Sequence, residues 1–141
     1  MTDRPPSLLY AVKQVELAVR SHLDDLLRPA GITALQYTAL TVLQRGHHVT
    51  AAQLARNSFV TTQSMSDLVG ALERRGLITR TRDTADRRRV HLTLTPEGEQ
   101  LVAEQAGPVA ELEARMVAAL TPDQVTAFRE ALNASRAALA D

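Results

Sequence analysis

Cysteine and tryptophan are absent from the 141 residues, lysine occurs once, at Lys13, and the aromatics are two Tyr and two Phe. Without cysteine there is no disulfide framework, thiolate metal site or cysteine redox switch. Residues 1–7 lack the basic-then-apolar pattern of a secretory signal, and no apolar run approaches the ~20 residues of a membrane span. These absences point to a cytoplasmic protein with no membrane partner. Paired catalytic carboxylates, a nucleophile beside a base and a glycine-rich phosphate loop are also missing, so the common enzyme constellations are excluded. His47-His48 and His91 lack useful ligand spacing, and neither a metal nor a cofactor is expected. A formal charge of zero, from 16 basic and 16 acidic residues, argues on its face against nucleic-acid binding.

The distribution of charge reverses that argument. Residues 1–96 hold 13 Lys+Arg against 8 Asp+Glu, whereas 97–141 hold 3 against 8, giving +5 and −5. Seven of the fifteen arginines lie between Arg74 and Arg89. Such segregation marks a basic working face on an otherwise acidic scaffold, and arginine suits planar contacts to phosphate and guanine better than lysine does.

Helix starts are legible. Thr33…Gln36, Thr50…Gln53 and Thr121…Gln124 match the capping box, and Thr95-Pro96-Glu97 offers an N-cap followed by a first-turn proline. Pro29 with Gly31, Gly46 and Gly76 act as terminators. The pattern predicts helices over about 7–28, 34–45, 51–57, 62–75, 96–120 and 122–140, with a β-hairpin over 77–94. Gly107-Pro108 should kink or break the fifth helix. Apolar stripes run along helix 1 (Leu8, Val12, Val15, Val19, Leu23, Leu26), helix 5 (Leu101, Val109, Leu112, Met116, Leu120) and helix 6 (Val125, Phe128, Leu132, Leu139). A chain this short offers them little core, so they are expected to meet a second copy rather than pack only within one chain. The expected organisation is a dimerisation helix in 1–32, a DNA-binding domain in 33–95 and dimerisation helices in 96–141. The fold class is mainly α with a small β-hairpin wing, a winged helix-turn-helix.

Helices 3 and 4 carry the helix-turn-helix spacing, with Leu54 and Ala55 inward, a turn at Asn57-Ser58-Phe59 and Val60 closing the corner. Met65, Leu68, Val69 and Leu72 form the buried face of helix 4. Its opposite face shows Thr62, Gln63, Ser66 and Asp67. Thr61, Thr62, Gln63 and Ser66 are the candidate DNA contacts, because hydroxyls and an amide suit base edges and phosphates; Thr61 or Thr62 also serves as helix cap. In the hairpin, alternation puts Val90, Leu92 and Leu94 against the body and points His91 and Thr93 away. Arg87 and Arg89 leave the tip on one side, toward a minor groove. Arg88 leaves on the other and pairs with Asp86 or Asp83.

From Leu72-Glu73-Arg74-Arg75-Gly76-Leu77-Ile78 through Asp86-x-Arg88-x-x-x-Leu92-x-Leu94-Thr95-x-x-Gly98, the chain resembles the MarR family of multiple antibiotic resistance regulators. The resemblance covers about residues 8–140 and is strongest over 50–98. It implies a homodimeric winged helix-turn-helix transcription regulator, most often a repressor, with helix 4 in the major groove of double-stranded DNA. It also implies that Asp86 and Arg88 form a wing-stabilising pair and that Arg87 meets DNA. A small aromatic or anionic effector would bind between arm and reading head, where Arg20, His22, Tyr37 and Arg45 are the polar candidates. Phe59 departs from the family's usual glycine, so Asn57 or Ser58 is expected to take the strained turn conformation. The lack of Cys excludes the thiol-based peroxide-sensing branch, and the lack of Trp leaves the urate-responsive pocket unsupported. The competing reading is a winged-helix protein-interaction module without sequence-specific DNA binding.

Overall fold

Capping and hydrophobic periodicity together set the elements of the computed structural model, which describes residues 4–46, 49–58 and 60–140. Helices α1 (Leu8–Leu27), α2 (Ala34–Arg45), α3 (Ala51–Ser58) and α4 (Thr62–Arg74) precede strands β1 (Ile78–Arg82) and β2 (Val90–Leu94). Helices α5 (Pro96–Met116) and α6 (Pro122–Leu139) follow. The three capping boxes close reciprocally: Thr33 and Gln36, Thr50 and Gln53, and Thr121 and Gln124 each exchange side-chain and backbone bonds of 2.9 and 3.2 Å. Phe59 and His47-His48 lie outside the described residues. Asn57 and Ser58 both belong to α3, which extends one residue beyond its predicted end, so neither takes the strained turn conformation.

The chain packs as two compact units, residues 1–107 and 108–141. In the first, Leu40, Leu54, Met65, Val69, Leu72 and Ile78 are the fully buried centre. The strands pair antiparallel, Ile78 opposite Leu94 through Arg82 opposite Val90. A third short segment joins them at Val49, whose carbonyl accepts the Leu92 N–H at 2.8 Å. In the second unit the end of α5 and all of α6 fold beside each other, and α6 buries no residue. Helix α5 continues through Gly107-Pro108 instead of breaking there. A proline forfeits one backbone bond to the residue four back, and the long helix tolerates that loss. It ends at Met116, earlier than its apolar pattern suggests.

Helix α4 ends in a Schellman motif. Gly76 takes the left-handed conformation at φ 73°, its N–H bonds the Glu73 carbonyl, and the Leu77 N–H reaches the Leu72 carbonyl. Only glycine adopts that backbone cheaply. The hairpin then returns to the same place. Thr95 N–H donates to the Leu77 carbonyl at 3.1 Å, Thr95 Oγ1 donates to the Gly76 carbonyl at 2.5 Å, and the Gly98 N–H bonds Thr95 Oγ1 at 3.1 Å. A Cβ on Gly98 would lie 3.1 Å from the Leu77 carbonyl carbon and closer still to its oxygen. Gly98→Ala should therefore destabilise the protein by about 1–3 kcal/mol, as overpacking against backbone does. The check is the chemical-denaturation midpoint, and an unchanged midpoint would show that the junction can open freely.

Candidate nucleic-acid interface

Helix α4 presents two chemically distinct faces. Met65, Leu68, Val69 and Leu72 are buried, while Thr62, Gln63, Ser66 and Asp67 are exposed. Thr61 is the N-cap: its Oγ1 accepts the Ser64 N–H at 3.1 Å and lies 3.0 Å from Ser64 Oγ. That engages the Thr61 hydroxyl and leaves Thr62, Gln63 and Ser66 as the outward polar groups. Gln63 Nε2 donates to Asp67 Oδ1 at 3.2 Å, one turn along the helix. The carboxylate can only accept, so it sets the amide with nitrogen toward Asp67. The second N–H and the carbonyl oxygen of Gln63 remain available, which is the donor–acceptor pair that adenine N7 and N6 require.

The wing tip is a turn and not a continuation of the strands. Arg89 N–H bonds the Asp86 carbonyl at 3.0 Å, which puts Arg87 and Arg88 at the two central positions. The strand alternation extrapolated to the tip therefore stops at Val90. Asp86 Oδ1 accepts the Arg88 backbone N–H at 3.1 Å and lies 3.5 Å from Arg88 Nε. Asp83 makes no pair with Arg88. Its Oδ1 receives the N–H groups of Ala85 and Asp86 at 2.8 and 3.4 Å, and its Oδ2 lies 3.0 Å from His91 Nε2. The His91 hydrogen bond and then the Ala85 N–H hold the Asp83 carboxyl well below the usual carboxylate range, at about 2. Its charge thus favours the folded wing at neutral pH, and that contribution fades as pH falls from about 3.8 through about 2.

His91 departs from the sequence expectation. It does not point into solvent but is 5% exposed. Asp83, from the loop, supplies a polar partner that a buried imidazole requires. Simple alternation along one strand cannot register a partner eight residues away in the loop.

Internal partners also divide the seven clustered arginines. The Arg75 guanidinium donates to the Gly31 and Ala30 carbonyls at 2.6 and 3.0 Å, tying the turn after α1 to the end of α4. Arg80 Nε reaches both Glu73 oxygens at 3.2 Å, and Arg82 Nη1 donates to the Arg87 carbonyl at 2.8 Å. Of the seven, only Arg80 and Arg88 form ion pairs among the described residues, so Arg74, Arg75, Arg82, Arg87 and Arg89 keep uncompensated charge, Arg75 and Arg82 while bonded to carbonyls. None of these bonds involves the exposed guanidinium groups of Arg74, Arg87 and Arg89.

Of the four effector candidates, Tyr37 is buried in α2, where desolvation raises its phenol pKa. Arg20 bonds Glu16 on its own helix, and His22 and Arg45 are exposed. Two positions apart on α1, Arg20 and His22 point about 160° apart. Among the described residues, no group of three or more His, Asp or Glu side chains could hold a metal ion. No described helix is long and apolar enough to cross a membrane.

An exposed polar helix face and an arginine-tipped hairpin, both standing on one helical core, define a winged helix-turn-helix protein. The family model described as "MarR family" matches residues 30–89. The HTH-type transcriptional repressor Rv2887 of Mycobacterium tuberculosis is 30% identical over 132 residues, which is 94% of each chain. In structure, the chain is similar to Staphylococcus aureus MepR in its DNA complex (TM-score 0.83, 25% identity, 96% of this chain and 100% of that one). It is likewise similar to the transcriptional repressor CouR bound to a 23-mer DNA duplex (TM-score 0.82, 28% identity, 92% of each chain). The chain belongs to the MarR family of DNA-binding transcription regulators. The family and its relatives are transcription regulators, not enzymes.

Proposed function

We propose that the protein acts as a homodimeric repressor of a near-palindromic operator, with α4 in the major groove and the wing in the adjacent minor groove. The observation that carries this reading is the folded wing turn, which exposes Arg87 and Arg89 without internal ion pairs on the same unit as the outward face of Thr62, Gln63 and Ser66. MepR and CouR, both bound to DNA, and Rv2887, a repressor by name, support it. Asp86 fastens Arg88 and shapes the turn, Arg87 and Arg89 meet phosphate or the groove floor, and Gln63 reads a base.

Pairing of two copies is supported by apolar surface that one chain leaves open. Leu8 and Leu9 on α1 are 84% and 81% exposed, and Met116, Phe128, Leu132 and Leu139 are exposed in the second unit. A groove of about 280 Å³ between the end of α5 and α6 is walled by Ala110, Val117, Val125, Phe128 and Leu132. Two recognition helices held about 34–36 Å apart would read successive major grooves on one side of the duplex. A small effector that changes this spacing would release DNA, and a coupling of about 1–3 kcal/mol is enough to regulate it.

Footprinting on DNA flanking the gene supplies the operator for three measurements. Arg87→Ala should weaken binding and make the log K against log salt slope shallower by about 1 per protomer, while sedimentation still gives a dimer. Unchanged affinity would remove Arg87 from the interface. Gln63→Ala should cost about 1–3 kcal/mol on the operator and much less on random DNA; equal losses would make Gln63 a positioning contact. Leu132→Asp should yield a folded monomer with weakened operator binding, because a charge there would be desolvated between copies. A wild-type monomer at micromolar concentration would overturn the dimer itself.

A further inference from the structure

Buried titratable groups with no part in the proposed contacts are few among the described residues, and His91 stands out because it bonds Asp83 of the wing loop. We propose that His91 is a positioning residue for DNA recognition: from inside β2 it holds the Asp83 carboxylate, and Asp83 folds the loop that presents Arg87 and Arg89. The DNA half of this inference rests on the function proposed above; the loop half does not.

The geometry forms a relay. His91 is 5% exposed and belongs to a strand paired at both neighbours, Arg82 with Val90 and Arg80 with Leu92, so its ring starts from a fixed backbone. His91 Nε2 lies 3.0 Å from Asp83 Oδ2. That contact leaves Asp83 Oδ1 facing the loop, where it takes the N–H groups of Ala85 and Asp86. The Asp83 N–H bonds the Arg89 carbonyl at 2.9 Å, extending the ladder by one rung across the loop mouth. Asp86, placed by this turn, then accepts from the backbone of Arg88 and Arg89. Each step from His91 to the arginines is a named hydrogen bond.

The carboxylate also answers an electrostatic need. Arg82, Arg87, Arg88 and Arg89 surround a seven-residue loop, and like charges would push it open. Asp83 and Asp86 are the acids within it, and only Asp83 is tied to a buried group. Were His91 an apolar ring, Asp83 Oδ2 would lose its anchor and the side chain would be free to turn toward water. The Ala85 and Asp86 bonds would then be optional, and the arginines would sample many orientations.

The first test needs no DNA. Trypsin cuts after arginine in locally opened chain, so cleavage after Arg87, Arg88 and Arg89 reports loop opening in the native protein. His91→Phe keeps a ring and removes the hydrogen bond. It should speed cleavage at these three sites about tenfold, the effect of losing one hydrogen bond to a charged group, while cleavage after Arg45 and the thermal midpoint stay at wild-type values. Asp83→Asn should come back toward the wild-type rate, since the amide oxygen can accept from Ala85 and Asp86 and its nitrogen can donate to a neutral imidazole. Should His91→Phe fail to fold, Asp83→Ala, which removes a loop side chain, must show the same wing-restricted acceleration. Wild-type cleavage rates in the folded variant would overturn the proposal. So would an acceleration spread over all sites with a fall in midpoint, which marks a purely structural histidine.

The second test uses duplex DNA carrying the footprinted operator. His91→Phe should bind more weakly, with a salt slope shallower by about 1–2 per protomer as the tip arginines disengage. Wild-type affinity and slope in the variant would overturn the positioning role in recognition. A wild-type protein that binds no duplex DNA would instead sink the proposed function, and the protease result would still decide whether His91 orders the loop.

Discussion

The aim of the wing depends on one crowded junction, the Leu77 carbonyl with the first turn of α5 pressed against it. That approach is open only to glycine at position 98, since a Cβ would collide with backbone and not with a movable side chain. Thr95 locks the same place from the other side by bonding the Gly76 and Leu77 carbonyls through its hydroxyl and its N–H. The end of α4, both ends of the hairpin and the start of α5 therefore share one knot of bonds made by backbone groups and the Thr95 hydroxyl. Such a junction fixes the wing relative to the outward face of α4.

At the far end of the hairpin the constraint is electrostatic. Two unit charges 4 Å apart in water repel by about 1 kcal/mol, so three consecutive arginines on a tight turn tend to open it. The chain counters with Asp83 and Asp86, each engaged with backbone N–H groups as well as with a cation or imidazole. The acids shape the turn and leave Arg87 and Arg89 exposed and without an ion pair among the described residues. Arg75 and Arg80 work elsewhere, bracing the end of α4 against the turn after α1 and against Glu73. An arginine cluster read from sequence is thus a mixture of braces and contacts, and only a fold can sort them.

Much of the architecture was legible because it is written in local chemistry. Reciprocal Thr and Gln pairs mark three helix starts, glycine marks the end of α4, and i, i+3, i+4 spacing gives the buried face of α4, all within windows of a turn or two. What escaped was non-local or depended on a loop. His91 was assigned to solvent because alternation describes a strand against its body and has no term for a partner such as Asp83 in the loop. Arg75 bonds carbonyls 44 and 45 residues away, a partnership that no spacing rule reaches. At Gly107-Pro108, where a kink or break was expected, the helix does not break: a single proline removes one helical bond, and a helix of 21 residues has enough others to continue.

The zero net charge also finds its place in this organisation. A uniformly basic protein of this size would hold DNA by any face, with little penalty for the wrong orientation. Here the 13 to 8 excess of bases precedes residue 97 and the 3 to 8 excess of acids follows it, so if the basic head carries the DNA contacts, the acidic helices would be repelled from the duplex. Those acidic helices are also the ones left with exposed Met116, Phe128 and Leu132. Helix α6 has no fully buried residue in one chain, so whatever covers its exposed apolar face adds to its stability. If that is a second copy, ordering of the arm and pairing of the reading heads become one equilibrium. Any compound that loosens one would then loosen the other, and a regulator built this way needs no separate device to convert ligand binding into release of DNA.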